Sequence, residues 1–178
     1  MGDVERYVVA IDVGIKNFGI CVFDFHTSTV VLWENTTITP FGRYQPANNV
    51  RYVRELVARY DDYFREAHAV LVERQMRTNM RIIEAVLHSM YYDKCYIISP
   101  KAIKMHYSLS TANYAKNKQR AIEWSDRFVA NNQDAFATGA TDTYKSSTKR
   151  DDMADSLLLV MYYLDTYSNM CSKEFPWN

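Results

Sequence analysis

Paired cysteines, long apolar runs and an excess of charge of either sign are all missing from this chain of 178 residues. Each absence closes off a class of protein. Cys21, Cys95 and Cys171 are far apart, odd in number and without CxxC or CxxxH spacing, so a secreted disulfide framework is excluded and a reducing compartment is expected. The longest apolar run, Leu157 to Leu164, is far short of a bilayer span. The opening "MGDVERYVVAID" lacks a signal-peptide profile, and Arg6 stands where a myristoylation signal wants Ser or Thr. A soluble, intracellular protein without membrane association is the expectation. Formal net charge is zero, so a polyanionic partner would have to be met by locally segregated basic groups. The four histidines, His26, His68, His88 and His106, show no ligand spacing and receive no role. Repeats, low-complexity segments and linkers are absent too, and the length suits a single domain over residues 1–178.

What is present is a series of short strand-like runs followed by helical ones. "RYVVAIDVG" is a continuous β-branched run ended by glycine, which reads as a buried strand. "NFGICVFDF" and "TVVLWENTTI" follow it and complete a three-strand meander. "NVRYVRELVARYDDYFREA" carries apolar residues at helical spacing, "AVLVE" is a second short buried strand, and "NMRIIEAVLHSMYY" is helical. "KCYIISP" is a strand stopped by proline, and "AKNKQRAIEWSDRFVAN" is another helix. The stretch "ATGATDTYKSST" reads as a loop before a final helix. The order β-β-β-α-β-α-β-α-α predicts an α/β fold, in which a mixed five-stranded sheet is flanked by helices.

Four acids sit where burial makes them costly. Asp12 closes the first strand and Glu73 closes "AVLVE"; parallel neighbours would bring both to one crevice at the carboxyl edge of the sheet. In "KRDDMADSLLLVMYYL", Asp152 and Asp155 are three apart and share a helix face. Asp151 is turned away and is read as a cap or a solvated acid. Four acids among apolar runs, with no internal arginine or lysine to match them, imply shared cations. Hard oxygen ligands of this number suit Mg²⁺ or Mn²⁺ rather than Zn²⁺. Two such ions a few ångströms apart are suited to phosphodiester cleavage.

The motifs "AIDVGIKNFGICVFD", "LVERQ", "SPKAIK", "KNKQRAI" and "DDMADSLLL" occur in this order over nearly the whole chain. Together they resemble the RuvC branch of the RNase H-like nucleases, and in size and local wording the poxvirus Holliday junction resolvases. The resemblance implies an RNase H-like fold and an endonuclease that resolves four-way and other branched DNA by paired symmetric nicks. It also implies Asp12, Glu73, Asp152 and Asp155 as metal-binding carboxylates holding two Mg²⁺ ions, with 5′-phosphate ends as products. Lys118 in "AKNKQ" matches the family's catalytic lysine, and Lys104 in "PKAIK" a second basic contact; such a charge offsets what develops on the phosphate. The work would lie at viral replication sites, in the cytoplasm of the infected host cell. Bacterial relatives follow the glutamate with an aromatic that enters the junction. Here "ERQMRT" offers Met76 and no ring, which passes that role to Tyr107 or Tyr114.

Basic residues bracket the proposed site: Arg74, Arg77 and Arg81 in one segment, Lys101, Lys104, Lys116 and Lys118 in the next, Lys149 and Arg150 in a third. They are candidate DNA contacts, since phosphate contacts supply position and affinity without reading sequence. A four-way junction is pseudo-two-fold and needs two nicks, which favours a homodimer. "NMRIIEAVLHSMYY" is the candidate interface helix through Met80, Ile82, Ile83, Leu87 and Met90. Two alternatives stand beside this reading, an RNA–DNA hybrid nuclease with the same acids and a non-catalytic nucleic-acid-binding protein.

Overall fold

The computed structural model describes residues 5–39 and 42–167. Cys171 falls outside them. Five strands form one mixed sheet in the order β3-β2-β1-β4-β5. The strands β1 (Tyr7–Asp12), β2 (Phe18–Asp24) and β3 (Thr29–Thr36) make the antiparallel meander, while β4 (Ala67–Glu73) and β5 (Cys95–Ile98) add in parallel beyond β1. The predicted strands are therefore all present.

The helices divide between the two faces of the sheet. On one face lie α1 (Asn49–Arg59), α2 (Asp61–Arg65) and α3 (Thr78–Met90), packed on Val9, Ile11, Ile20 and Val72. On the other lie α4 (Pro100–His106), α5 (Tyr114–Asn131), α6 (Ala140–Ser146) and α7 (Arg150–Tyr167), packed on Val8, Ala10, Cys21 and Leu71. The helix read over 49–67 is broken, because Tyr60 ends α1 and opens α2 before β4 begins at Ala67. Two short helices were not expected. Pro100 stops β5 and also starts α4, where its missing N–H costs nothing. The stretch read as a loop before the last helix contains α6, entered through Gly139 at a φ of 87°, a left-handed conformation that glycine adopts freely.

The last helix is buried almost all round: Met153, Ala154, Ser156 to Met161, Tyr163 and Leu164 are all inaccessible. It lies across β1 and β2 and beneath α5. Two features fix its start. Trp33 on β3 donates from Nε1 to the Met153 carbonyl at 2.8 Å, in a fully buried bond. Trp33 reaches that face through a register shift in β3 between the partners of Val22 and Phe23, which leaves Val31 extra and points Val30 and Trp33 the same way. The second feature is Gly19. A Cβ there would come within 2.3 Å of the Asp152 carbonyl oxygen, so the first turn of α7 rests on bare backbone. Gly19→Ala is expected to destabilise the fold by about 1–3 kcal/mol through overpacking and to push Asp152 away from Asp12. Urea unfolding of the variant measures the first effect, and an unchanged midpoint would contradict the close approach. Gly14 is tighter still, since a Cβ would sit 1.6 Å from the Asn17 carbonyl oxygen.

Candidate active site

Strand alternation decides which way the acids face. Ala10 and Leu71 point toward α7, so Asp12 and Glu73, two residues further on, point the same way. Ile11 pairs with Val72 in parallel register, so Asp12 and Glu73 end their strands side by side. Asp12 pairs with Gly19 across the antiparallel ladder, and Gly19 is where the first turn of α7 rests on the sheet. A Cβ on Gly19 would lie 3.4 Å from the Asp12 Cβ as well as against Asp152. Four predicted carboxylates, from β1, β4 and the first turns of α7, are therefore gathered at one end of the sheet.

Their electrostatics follow from that crowding. Asp12 is only 9% exposed, and burial holds its carboxyl well above the usual range, reinforced by Glu73 and Asp155. The two carboxyls face each other closely enough that neither ionises independently of the other. Burial pushes Glu73 up to about 7, and the Asp155 charge adds to the push. Asp152 is raised to about 6 by burial and by Asp151. Asp155 is raised by burial, against the opposing pull of Lys104 and Lys118.

Both predicted lysines stand at the acidic helix. Lys118 Nζ on α5 donates to Asp151 Oδ2 at 2.5 Å, and Lys104 Nζ on α4 lies 3.8 Å from Asp155 Oδ1. Asp151 is therefore an ion-pair partner rather than a free cap. Burial alone would raise its carboxyl, but the bond to Lys118 outweighs burial and lowers it.

The group has the chemistry of a hard-cation site. All its donors are oxygen, and two ammonium groups, of Lys104 and Lys118, stand at its rim. Among the described residues, no three acidic, histidine or cysteine side chains converge closely enough to make a ready-formed cage. The lysines draw on two of the helix acids, Lys118 on Asp151 from α5 and Lys104 on Asp155 from α4. A divalent cation would offset the burial and the mutual repulsion that hold the Asp12, Glu73 and Asp155 carboxyls above their ordinary range.

The remaining candidates separate. Arg74, Arg77, Arg81, Lys101, Lys116 and Lys149 are exposed. Arg150 is instead engaged with the Asp126 carboxylate and the Tyr144 hydroxyl, and its guanidinium lies over the Tyr144 ring. Tyr107 cannot serve as an inserted ring, because its hydroxyl donates to Asp165 Oδ2 at 2.7 Å and its ring packs against Trp124. Tyr114 is 71% exposed, with Lys118 Nζ 5.5 Å from its ring centre. Sequence reasoning missed Gly19 and Trp33, which set the start of α7. Neither carries a local signal, since each is defined by a partner more than 100 residues away.

A sequence profile described as the poxvirus A22 protein matches residues 6–166. No curated protein sequence matches significantly. Among solved structures, the yeast mitochondrial Holliday junction resolvase superposes with a TM-score of 0.68 at 21% identity, covering 94% of this chain and 86% of that one. The fowlpox virus resolvase, solved in complex with its substrate Holliday junction DNA, gives 0.66 at 19% identity, covering 89% and 97%. A second structure of the fowlpox virus Holliday junction resolvase gives 0.64 at 21% identity, with the same coverage. At these identities the structural likeness is one of fold.

Proposed function

The chain belongs to the poxvirus A22 protein family, and from that premise we propose that it is a metal-dependent, structure-selective endonuclease that resolves Holliday junctions and other branched DNA. The whole chain is then a single nuclease domain working in the cytoplasm of the infected host cell. The observation that carries the reading is the gathering of Asp12, Glu73, Asp152 and Asp155 at one sheet end, in a fold shared with two junction resolvases.

These four carboxylates would hold Mg²⁺, two ions per site, with Mn²⁺ able to substitute. Bound there, the ions would supply an activated water for attack on phosphorus and charge stabilisation for the leaving oxygen. The chain's own groups do the rest. Lys118 and Lys104, freed from Asp151 and Asp155, face the phosphate and offset its developing charge. Arg74, Arg77, Arg81, Lys101, Lys116 and Lys149 hold the backbone of the arms without reading sequence. Arg150 joins them only by leaving Asp126 and Tyr144. Exposed Tyr114, beside Lys118, is the ring available to stack on an unpaired base.

The test is incubation of the purified protein with Mg²⁺ and an end-labelled four-way junction, beside linear duplex and RNA–DNA hybrid. Symmetric nicks in the junction that can be resealed by a DNA ligase are expected, the resealing reporting 5′-phosphate ends. Preferential cutting of the hybrid would move the substrate to RNA–DNA, and binding of the junction without any cleavage would leave a non-catalytic protein.

Two nicks call for two sites, and the reading includes a homodimer. Ile83 and Leu87 of α3 are buried within the subunit, so that part of the predicted interface packs internally. Ile82 and Met90, together with Met76 and Val50, are exposed along a groove of about 950 Å³ between α1 and α3, rimmed by Arg54 and Arg81. A second copy seated there would cover this apolar strip. Sedimentation at low micromolar concentration is expected to give a dimer, and Ile82→Glu a monomer; a monomeric parent protein would remove the dimer from the proposal.

A further inference from the structure

Glu73 has a bracing that none of the other acids has, and it runs through the sheet to the opposite face. The last ladder bond of β4 is Arg74 N–H to the Ile98 carbonyl at 2.8 Å, after which the chain leaves the sheet to start α3. Strand ends of this kind fray, because the next backbone groups have no ladder partner. Here the next residue, Gln75, is buried at 9% exposure. Its side-chain amide donates to the Glu73 carbonyl at 2.9 Å, and its own backbone N–H donates to Glu84 Oε2 at 2.5 Å. Glu84 belongs to α3, on the face of the sheet away from α7. Peptides 73 to 75 are thus held at three points, by β5, by the Gln75 side chain and by Glu84.

We propose that Gln75 and Glu84 are positioning residues for Glu73: the charge-assisted Glu84 bond locks Gln75, and Gln75 fixes the backbone from which the Glu73 carboxylate reaches the cation site. The inference rests on the nuclease reading above. Neither side chain touches the reacting atoms. Each acts on a metal-holding carboxylate through its backbone, and supports of this kind typically change metal affinity by about 10–100-fold. A hydrogen bond to a carboxylate acceptor is also the stronger kind.

The test compares Gln75→Ala, Glu84→Ala and Glu84→Gln with the parent protein in three measurements. Calorimetric titration with Mn²⁺ in the absence of DNA is expected to show about tenfold weaker binding for the two alanine variants. Glu84→Gln keeps an acceptor oxygen without the charge and is expected to bind Mn²⁺ more tightly than Glu84→Ala and more weakly than the parent protein. The Mg²⁺ concentration for half-maximal junction cleavage should rise by the same factor, with the affinity for the junction unchanged. Equal Mn²⁺ affinity in all four proteins overturns the proposal. So does weakened junction binding that matches the loss in metal affinity, or a failure of Glu84→Gln to bind Mn²⁺ more tightly than Glu84→Ala. A parent protein that binds Mn²⁺ but cuts no junction would defeat the nuclease reading, while the Mn²⁺ titrations would still decide the roles of Gln75 and Glu84.

Discussion

Asp12→Asn is expected to lower junction cleavage by a factor on the order of a thousand or more, with junction binding retained, because it removes one oxygen ligand from the most enclosed position of the site. The same substitution is expected to stabilise the cation-free protein. Burial and the neighbouring acids hold Asp12 and Glu73 above the ordinary carboxylate range, Glu73 at about 7. A carboxyl whose pKa is raised by folding favours the folded state while it is protonated. That contribution is complete below the unfolded value and is lost as pH rises through the folded one. The cation-free parent protein should therefore lose stability between about pH 4 and 7, by an amount on the order of 1–3 kcal/mol for Glu73. Mg²⁺ should restore it, and Asp12→Asn should flatten the profile by removing the buried Asp12 carboxyl, itself held well above its ordinary value, from the titration. Melting temperatures at pH 5, 6, 7 and 8, with Mg²⁺ and with a chelator, read all of these effects. Full cleavage by Asp12→Asn would overturn the site, and a cation-free stability that rises with pH would overturn the electrostatic account.

Trp33→Ala is expected to cost about 3–5 kcal/mol of folding stability, a large share of what a domain of this size has. Trp33 is 1% exposed, stacks on Tyr144 with ring centres 4.0 Å apart, and donates to the Met153 carbonyl. Its removal leaves a cavity between β3, α6 and α7. Trp33→Phe keeps most of the packing and loses the donor, for about 1 kcal/mol from the hydrogen bond. Urea midpoints separate the two variants. Cleavage by Trp33→Phe should fall more than its stability does, because the lost bond is the one that sets the turn carrying Asp152. A Trp33→Ala midpoint close to that of the parent protein would show that the start of α7 is held by other contacts.

The acids were legible because their signal is local. A carboxylate ending a β-branched run, as Asp12 and Glu73 do, conflicts with its immediate neighbours, and the spacing of Asp152 and Asp155 fixes a shared helix face whatever surrounds it. The same local logic located all five strands. It failed at α4 and α6, which are too short for periodicity to register. It also failed where one residue had two readings: Arg150 and Tyr107 looked free for DNA, and each is taken up by an aspartate on another helix.

The sequence by itself thus determined the strands, the longer helices and where the acids fall on them, because strand alternation and helix spacing act over a few residues and buried charge is costly in any fold. Tertiary structure alone decided how those acids meet. The parallel pairing of β1 with β4 sets Asp12 beside Glu73, and the bare backbone of Gly19 admits the turn bearing Asp152. Lys118 is given to Asp151 and Lys104 to Asp155, while the Gln75 amide bonds the Glu73 carbonyl and Glu84 accepts from the Gln75 backbone. Such partnerships depend on distances across packed layers, and no spacing along the chain encodes them.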